Sequence, residues 1–524
     1  MRQAVRQPNR ANATRTRTAN TKARTAPIKG WNARDSIANM KPEYAITLEN
    51  FFPTASDVMV RKGKASHVTG ITGQVESLMP YNTPAGTQTL FAAAGTAFYN
   101  VTSAGVVGAA VVTGLTNARW QYLNFTNSSG VSYLLCFNGI DAPRYWDGAS
   151  WITITGTSTP AITGVTATGL IGGTIHKRRV WLVEKNTLKA WYLPVDAVGG
   201  SAAALDLSGI AKKGGYLMAV ESWTLDAGEG VDDYWVALTS EGEVIIYKGT
   251  DPSSANTWAL HGVYQLGEPI GRRCMIKYAG DVLMILKTGV FPLSRALISK
   301  TVDPAAALTG NIEQAMSDAA ASYSSSFGWE LTHYQSGNMV LLNVPVREGS
   351  QQQQYVMNTI TGAWCKFTGW EGNTFAVLNG ALYMGGSTVV ERVWYTSADN
   401  GANITSIAKQ AFDYFGSTGK KIWKQARPIF SATGSPTVTM GMDTDYANGL
   451  SFNEVTFTPT TASLWGVAKW GVGLWGSGLQ SFKTWVGLSG IGFCAALRMK
   501  CVSNNVEVHW QATDYVWESG EGVM

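Results

Sequence analysis

The chain has 524 residues, of which 41 are Lys or Arg and 36 are Asp or Glu. Charged residues make up 15% of the chain, against roughly 25% in an average soluble domain. Its 57 glycines and 11% of aromatic residues are typical of short strands joined by tight turns, and they argue against a helical bundle or a coiled coil. At roughly 150 residues per domain, this length predicts three or four domains, or fewer if one is a large all-β unit.

The basic residues are concentrated at the N-terminus. Residues 1–29 carry eight basic residues and no acidic ones, so the rest of the chain has 33 basic and 36 acidic residues and a net charge of −3. The segment has no aromatic residue and is rich in Thr, Asn and Ala, which predicts an extended basic arm that is disordered in isolation. The residues expected to contact a partner or DNA are Arg2, Arg6, Arg10, Arg15, Arg17, Lys22, Arg24 and Lys29.

Three functions fit this arm. Basic residues at intervals of two to five suit phosphate contact through counterion release. They also suit docking in an acidic groove of a protein partner. A solubilising tail without a binding function is the third interpretation.

The cysteines and the hydropathy of the sequence indicate the cellular compartment in which the chain is made. The five cysteines are scattered and form no CxxC pair, so neither a disulfide framework nor a zinc site is predicted. The basic N-terminus lacks the apolar segment of a signal peptide, which favours synthesis in a reducing cytoplasm. The sequence also contains no run of about 20 apolar residues, so no membrane-spanning segment is predicted.

One sequence phrase recurs from about residue 75 to 400. It consists of an apolar strand, a turn with Gly, Asn or Asp, and a second strand that often contains an aromatic residue. Such hairpins, repeated every 40 to 60 residues or so, predict a β-propeller of about seven blades within 30–400. A series of β-sandwiches would produce similar phrases and stays as the alternative. The phrases are Leu90 to Val107, Tyr133 to Thr155, Arg178 to Pro194, Tyr234 to Tyr247, Asp281 to Leu293, Met339 to Phe367 and Phe375 to Tyr395.

Two regions depart from this strand–turn–strand pattern. Asp303 followed by Pro304 is a helix N-cap with Pro at the first helical position, and an Ala-rich run follows, which predicts a helical insertion near 303–322. After residue 400 the spacing changes and the chain ends in period-2 alternation. Residues 401–524 are therefore predicted to form a separate β-sandwich-like domain.

Motifs for cofactors, metals and nucleophiles lack their context. Gly471 to Gly476 match the GxGxxG string, but no strand precedes them and no helix with a later acid follows. The five histidines are far apart without HExxH spacing, and no GxSxG elbow occurs. We therefore predict no catalytic, cofactor-binding or metal-binding residue and a non-enzymatic protein.

A glycosidase remains the chemical alternative, because it needs only two carboxylates that different blades contribute. Tyr145 to Trp151 resembles a broken form of the Asp-box of sialidases. Turns carry acidic residues in any β protein, so each candidate also has a structural interpretation. The candidates are Asp141, Asp147, Asp232, Asp233, Asp281 and Glu371.

Two passages resemble a known family. Gly30 to Ser36, Met40 to Ala45 and Leu48 to Pro53 are similar to the opening of the tail hub or nozzle (tail tubular protein B-like) proteins of short-tailed bacteriophages of the podovirus type. Tyr355 to Phe367 resembles a blade motif of the same family. The residues that carry this resemblance are Trp31, Arg34, Asp35, Tyr44, Asn50, Phe52, Pro53, Asn358, Gly362 and Trp364.

In physical terms, the Asn-Phe-Phe-Pro corner at Asn50 is expected to anchor the chain on the propeller. The turn at Thr361 and Gly362 is expected to direct Trp364 between blades. The basic arm before Gly30 has no counterpart in the resemblance.

The resemblance implies a structural virion protein of the phage tail, synthesised in the host bacterial cytoplasm. It implies a homohexameric ring below the portal and adaptor, through which viral double-stranded DNA leaves. A slightly acidic body suits a wall that DNA passes, and low charge with many aromatics suits subunit interfaces. The arm is then expected to dock on a neighbouring tail subunit, with DNA as the second choice. The alternative function is a virion-associated glycan-active propeller enzyme or a receptor-binding adhesin.

Overall fold

Strands form nearly all of the regular structure in this computed structural model, which describes residues 19–226, 231–296, 306–447, 455–457 and 479–519. The prediction that the chain is all-β apart from a short helical segment is thereby confirmed. The turns that the sequence marks adopt the left-handed backbone that Asn and Gly favour: φ is 71° at Gly139, 59° at Asn186 and 77° at Gly242.

The first 70 residues contribute strands to three different sheets. Of these strands, β3 and β4 pair as a hairpin, with Phe51 opposite Val60. The strands are β1 (Ala19–Thr25), β2 (Ala45–Glu49), β3 (Phe51–Pro53), β4 (Val58–Val60) and β5 (Lys64–Thr69).

The described part of residues 75–393 contains seven consecutive antiparallel units. Units 1 to 3 and the short strands between them are, in chain order, unit 1 with β6 (Val75–Asn82), β7 (Gln88–Ala94) and β8 (Ala97–Asn100); β9 (Gly105–Val106); unit 2 with β10 (Gln121–Thr126), β11 (Ser132–Phe137), β12 (Arg144–Trp146) and β13 (Trp151–Thr153); β14 (Ile162–Thr163); and unit 3 with β15 (Leu170–His176), β16 (Arg179–Glu184), β17 (Lys189–Tyr192) and β19 (Ala203–Asp206), interrupted by β18 (Gly200–Ser201).

Units 4 to 7 continue the series. They are unit 4 with β20 (Leu217–Asp226), β21 (Val231–Thr239), β22 (Glu243–Gly249) and β23 (Trp258–Gln265); unit 5 with β24 (Met275–Tyr278), β25 (Asp281–Leu286) and β26 (Gly289–Pro292); unit 6 with β27 (Glu330–Tyr334), β28 (Met339–Arg347), β29 (Gln351–Asn358) and β30 (Trp364–Phe367); and unit 7 with β31 (Thr374–Leu378), β32 (Ala381–Gly385) and β33 (Val390–Val393).

The first strands of the units contact one another in order. Each of β6, β10, β15, β20, β24 and β27 contacts the first strand of the following unit, and β31 of unit 7 contacts β6 of unit 1. Unit 7 is extended by β5, which precedes unit 1 in the chain and pairs antiparallel with β33. The two ends of the series therefore lie side by side.

Helices interrupt the series between units 5 and 6. α1 covers Leu293–Ala296, a 3-10 turn covers Leu308–Ile312, and α2 covers Glu313–Tyr323. The α-helix thus begins later than the predicted insertion near 303–322, since the part around Gly310 is 3-10. The predicted N-cap at Asp303 lies outside the described residues. Two more 3-10 turns cover Ala167–Gly169 and Gln335–Gly337.

After unit 7 the chain adds strands to two large sheets. The period-2 segments near the C-terminus form β40 and β41, whose buried and less buried residues alternate along most of β41. The strands are β34 (Ile404–Gln410), β35 (Lys421–Ala432), β36 (Thr437–Thr444), β37 (Val455–Phe457), β38 (Gln480–Lys483), β39 (Val486–Gly492), β40 (Ala495–Ser503) and β41 (Val508–Ser519).

Segments distant in sequence share these two sheets. One sheet has nine strands and runs from unit 6 through β2 into the C-terminal strands, in the order β27-β28-β29-β30-β2-β34-β40-β36-β37. The other has seven strands in the order β3-β4-β41-β35-β38, with β1 also on β41 and β39 also on β35. The predicted boundary between residues 400 and 401 falls between β33 and β34. In space, however, β1 to β4 lie in the same sheets as the C-terminal strands.

The hydrophobic core is continuous between unit 6 and the C-terminal strands. Phe52 and Trp370 belong to the same buried cluster as Trp423, Trp510 and Tyr515. Apolar area removed from water contributes roughly 25 cal/mol per Å², so a shared cluster of large aromatics resists separation of the two parts.

Candidate functional site

The two passages that carry the family resemblance meet in space. Gly30 forms a parallel β-bridge with Trp364, and the Trp31 N–H donates to the Trp364 carbonyl oxygen at 2.7 Å. Further along, Glu49 pairs with Lys366 as β2 joins β30. The first passage therefore lies as a strand beside the second and links unit 6 to the C-terminal strands.

Gly30 is required at this crossing. Its φ is +81°, and a Cβ atom there would lie 2.4 Å from the Trp364 carbonyl oxygen. Only glycine combines this left-handed backbone with so close an approach. The close approach allows the Trp31 N–H to reach the Trp364 carbonyl.

Trp364 joins the crossing to the helical insertion. Its side chain is buried, and the indole N–H donates to the Leu308 carbonyl oxygen at 2.8 Å. The Trp31 ring packs edge-on against Tyr355 with the ring centroids 5.3 Å apart. Buried indoles usually find such an acceptor, so Trp364 orients the segment before α2 as well as filling the core.

A turn holds the far end of the second passage. The Asn358 side-chain amide donates to the Pro53 carbonyl oxygen at 3.0 Å, and its Oδ1 accepts the Ile360 N–H at 2.8 Å. Gly362 has φ +69° and its N–H donates to the Asn358 carbonyl oxygen at 2.8 Å. Asn358 thus shapes the turn and binds the Asn-Phe-Phe-Pro corner.

Asn50 is the polar centre of that corner. Its φ is 54°, and its amide donates to Thr368 Oγ1 and to the Thr405 carbonyl oxygen, both at 2.9 Å. Its Oδ1 accepts the Thr368 N–H at 2.9 Å and Arg61 Nε at 2.8 Å. One buried side chain therefore connects residues after β30 with a residue of β34.

Arg61, which the sequence analysis did not single out, completes this network. Only 2% of the residue is exposed. Its Nη1 and Nη2 donate to the two Asp399 carboxylate oxygens at 3.0 and 2.7 Å, and to the Lys62 and Thr368 carbonyl oxygens at 3.1 and 2.8 Å. Together with Nε on Asn50, all five guanidinium N–H groups have acceptors.

We call this network the joint. It consists of Gly30, Trp31, Asn50, Pro53, Arg61, Asn358, Trp364, Thr368, Asp399 and Thr405.

The remaining motif residues lie around the joint. Arg34 Nε donates to Asp35 Oδ1 at 2.9 Å, and this bond and a second one from Asn32 lower the pKa of Asp35. The Tyr44 carbonyl oxygen accepts the Ala411 N–H at 3.1 Å. The buried Phe52 ring packs edge-on against Trp394, with centroids 5.2 Å apart.

Part of the basic arm lies on the chain's own C-terminal sheet. β1 pairs antiparallel with β41 from Ala19 opposite Glu518 to Thr25 opposite Ala512. Arg24 is buried, its Nη2 donates to the Pro42 carbonyl oxygen at 2.9 Å, and its Nε lies 3.5 Å from Asp413 Oδ2. Arg24 is thus engaged within its own chain.

The other predicted arm residues differ in position. Lys22 lies 3.6 Å from Asp413 Oδ2 with 43% of its side chain exposed, and Lys29 is exposed. Arg2, Arg6, Arg10, Arg15 and Arg17 lie outside the described residues.

A central cavity of about 230 Å³ is the second feature that sequence reasoning missed. It is bordered by the first strands of all seven units, so its lining residues are spread along the sequence from Leu78 to Thr374. Four charged side chains border it, namely Glu221, Arg272, Arg273 and Glu330. Arg273 Nη1 donates to Glu330 Oε2 at 2.8 Å, and Nη2 donates to Ser77 Oγ at 2.6 Å.

The carboxylates considered for glycosidase chemistry have structural partners. Asp141 accepts the Thr116 N–H at 2.9 Å, Asp147 the Ser150 N–H at 2.7 Å, and Asp233 pairs with a lysine. Asp281 accepts Ser294 Oγ, and Glu371 accepts the Gln352 N–H. No hydrogen bond joins any two of these five, and the side chain of Asp232 lies outside those described.

One histidine has two carboxylate neighbours. His509 on β41 lies with Nδ1 2.9 Å from Asp57 Oδ2 and Nε2 3.1 Å from Glu507 Oε1. Asp57, followed by Glu507, raises the pKa of His509 against the opposing effect of burial. The contact between Asp57 and His509 links the β3–β4 hairpin to β41 most strongly when the imidazole is protonated.

Within the described ranges, no three His, Cys, Asp or Glu side chains are grouped so that they could hold a metal ion. None of the helices in that part of the chain combines the length and the hydropathy needed to cross a membrane.

Comparisons with known proteins assign no family. No protein-family model and no curated protein matches the sequence. Similar solved structures include the extracellular domain of a hybrid two-component system from B. thetaiotaomicron, with 9% identity and a TM-score of 0.38 over 63% of this chain and 41% of that one. A chain of the BBS1N complex with ARL6DN has 8% identity and a TM-score of 0.39 over 64% of this chain and 99% of that one. YCF48 bound to D1 peptide has 12% identity and a TM-score of 0.34 over 62% and 93%. Similarities this low assign this chain neither a family nor a function.

Proposed function

We propose that the chain is a non-enzymatic structural protein of a short-tailed bacteriophage, a subunit of the tail nozzle below the portal and adaptor. In this proposal identical copies form a ring, most simply a hexamer, through which viral DNA passes. The ring also provides an attachment platform for other tail parts in the virion.

The interlocking of the two resembling passages carries this proposal. Asn358 and Pro53 are 305 positions apart in sequence, yet they share a hydrogen bond. Chance matches would have no reason to meet, whereas residues that define a family's architecture are expected to contact one another. The contacts at Gly30, Asn50 and Trp364 are of the same kind and support the resemblance over both passages.

We further propose that the seven units are the blades of a closed propeller. Contacts between successive first strands, and between β31 and β6, support a ring. The pairing of β5 with β33 supports closure, because a strand from before unit 1 completes unit 7. Antiparallel blades stacked radially would bury both faces of each sheet and leave only short edges exposed.

In this proposal, fewer residues of the basic arm are available for attachment than its composition alone predicts. β1 and Arg24 belong to the C-terminal sheet, so attachment to a neighbouring tail subunit falls to the residues before β1. DNA contact through counterion release is the second choice for the same residues.

Native mass spectrometry of the purified full-length protein tests the proposal. We expect an assembly of six copies of the 56.3 kDa chain, formed alone or on addition of the portal–adaptor complex. A protein that stays monomeric in both conditions would contradict the nozzle function. Turnover of saccharides would favour the glycan-active enzyme, and binding to host glycans without turnover would favour the adhesin.

A further inference from the structure

Arg272 is a partly buried cation that forms no ion pair with a carboxylate among the described residues. Its Nη1 donates to the Leu217 carbonyl oxygen at 2.7 Å and to the Met218 carbonyl oxygen at 3.4 Å, and the guanidinium lies 5.0 Å from the centroid of the Tyr216 ring. Among the described residues, no carboxylate forms an ion pair with it, and Nε and Nη2 donate to no residue. Burial lowers the pKa of Arg272, as expected for a charge that is poorly compensated.

The other three charged side chains at the central cavity each have an ionic partner. Glu330 is paired with Arg273 at 2.8 Å. Glu221 accepts Thr174 Oγ1 at 2.7 Å and lies 3.3 Å from Lys277 Nζ. Glu221, Glu330, Arg272 and Arg273 sum to zero charge, but among these four Arg272 is the one that forms no ion pair with a described residue.

The cavity has room and chemistry for a small molecule. Its volume of about 230 Å³ exceeds the roughly 30 Å³ share of one water several times. Met218, Met275 and Ile276 supply apolar wall, and Gln121 and Tyr122 supply polar groups. Tyr122 borders this space, and 39% of its surface is accessible.

We propose that the central cavity binds a small organic carboxylate whose anionic group pairs with the free edge of the Arg272 guanidinium. A carboxylate matches the planar fork of arginine and neutralises a single positive charge. Its body would lie against the two methionines, with Tyr122 and Gln121 as hydrogen-bonding partners. This inference is independent of the proposed function, since it concerns the interior of one chain.

Isothermal titration calorimetry on the full-length protein tests the proposal, with sodium butyrate, sodium gluconate and inorganic phosphate as probes and sodium chloride at matched ionic strength as the blank. We expect saturable binding of butyrate or gluconate. The Arg272→Gln variant should bind at least about tenfold more weakly, because a hydrogen-bonded charge pair is lost.

Arg392→Gln is the matched control, because Arg392 also lies over a tyrosine ring, 3.9 Å from the centroid of Tyr395, but does not border the cavity. It should bind like the unchanged protein. If Arg272→Gln does not fold, Arg272→Lys decides, because lysine keeps the charge but lacks the fork and should bind several-fold more weakly.

The proposal would be overturned by no saturable binding of either carboxylate, by equal affinity in the Arg272 variants, or by binding of phosphate alone. The last would assign the cavity to an inorganic anion. Binding that is lost equally in Arg392→Gln would also overturn it, because the effect would then not be specific to the cavity.

Discussion

The joint contains a buried guanidinium and the central cavity a partly buried one, and the two differ in their partners. At the joint, Arg61 has acceptors for all five N–H groups and a bidentate carboxylate partner in Asp399. At the cavity, Arg272 has two carbonyl acceptors on one nitrogen and an aromatic ring beneath it, but no carboxylate.

This difference shows how a charged residue that holds the fold together can be distinguished from one that is available to bind a ligand. Desolvating an ion costs several kcal/mol, which the fold must offset by hydrogen bonds and an opposite charge. Where the offset is complete, as at Arg61, the residue connects parts of the structure. Where it is incomplete and space lies beside it, as at Arg272, the proposed carboxylate would supply the rest.

The largest expected effect is at Arg61. Arg61→Met removes the donors that serve Asp399, Asn50 and Thr368, and leaves a mostly buried carboxylate without its partner. We expect a loss of about 3–5 kcal/mol in the free energy of unfolding. The midpoint of urea denaturation, followed by tryptophan fluorescence, measures it.

Arg34→Met is the matched control. Arg34, like Arg61, pairs with an aspartate, here Asp35, but 49% of the Arg34 side chain is exposed. Exposed pairs contribute about 0–1 kcal/mol, so this variant should unfold close to the unchanged protein. Equal losses in the two variants would contradict the structural role assigned to Arg61.

The second prediction compares two glycines with positive φ in the two resembling passages. Gly30→Ala places a Cβ 2.4 Å from the Trp364 carbonyl oxygen, whereas Gly362→Ala meets open space. Backbone strain applies to both, and overpacking only to the first, so we expect losses of about 3 and about 1 kcal/mol respectively. Thermal denaturation of both variants is the measurement, and a reversed order would show that the crossing of Gly30 and Trp364 is not as close as described.

The third prediction separates the two parts of the basic arm. Deleting residues 2–28 removes β1 together with its Arg24 contacts, so β41 loses a neighbour and Asp413 loses its cations. We expect a loss of about 1–2 kcal/mol in unfolding free energy. Deleting residues 2–18 spares β1 and should leave unfolding unchanged.

Under the proposed function, both truncations should fail to be incorporated into virions, which immunoblotting of purified particles measures. Normal incorporation of the protein lacking residues 2–18 would contradict the attachment role of the arm. Arg24→Gln, in contrast, should be incorporated, because Arg24 is engaged within its own chain.

The smallest predicted effect is a pH dependence at His509. Because the pKa of His509 is raised in the folded protein, its stabilisation is fully present below the unfolded value of about 6.5. It is lost as pH rises through the folded pKa. We expect a change of no more than about 1 kcal/mol.

The thermal midpoints of the unchanged protein and of His509→Gln, each measured at about pH 6 and about pH 8, test this pH dependence. The unchanged protein should lose more stability between these values than the variant. A variant with the same pH dependence would assign the titration to another group.

Much of the fold could be predicted because its signals are local. Strand alternation and turns such as Asn138-Gly139 and Glu241-Gly242 depend on neighbouring residues, and they correctly indicated β structure in most of the described part of residues 75–400. The cap predicted at Asp303 and Pro304 lies outside the described residues and stays a prediction. Within the described residues, α2 begins at Glu313, after the 3-10 segment that contains Gly310.

The two sites depend on contacts that sequence does not encode locally. Arg272 and Arg273 are neighbours with identical chemistry, yet only Arg273 reaches a carboxylate. Arg61 and Asp399 are 338 positions apart. The resembling passages predicted that Asn50, Asn358 and Trp364 matter, but not that they meet, since that depends on how β2 lies beside β30.

The copy number of this chain in purified virions tests the central claim most directly. Quantitative peptide mass spectrometry against the portal protein measures it. We predict half the portal count, as a sixfold ring below a twelvefold portal requires. Absence from the particle would contradict the structural function, and a clearly larger multiple would contradict the nozzle and favour the adhesin.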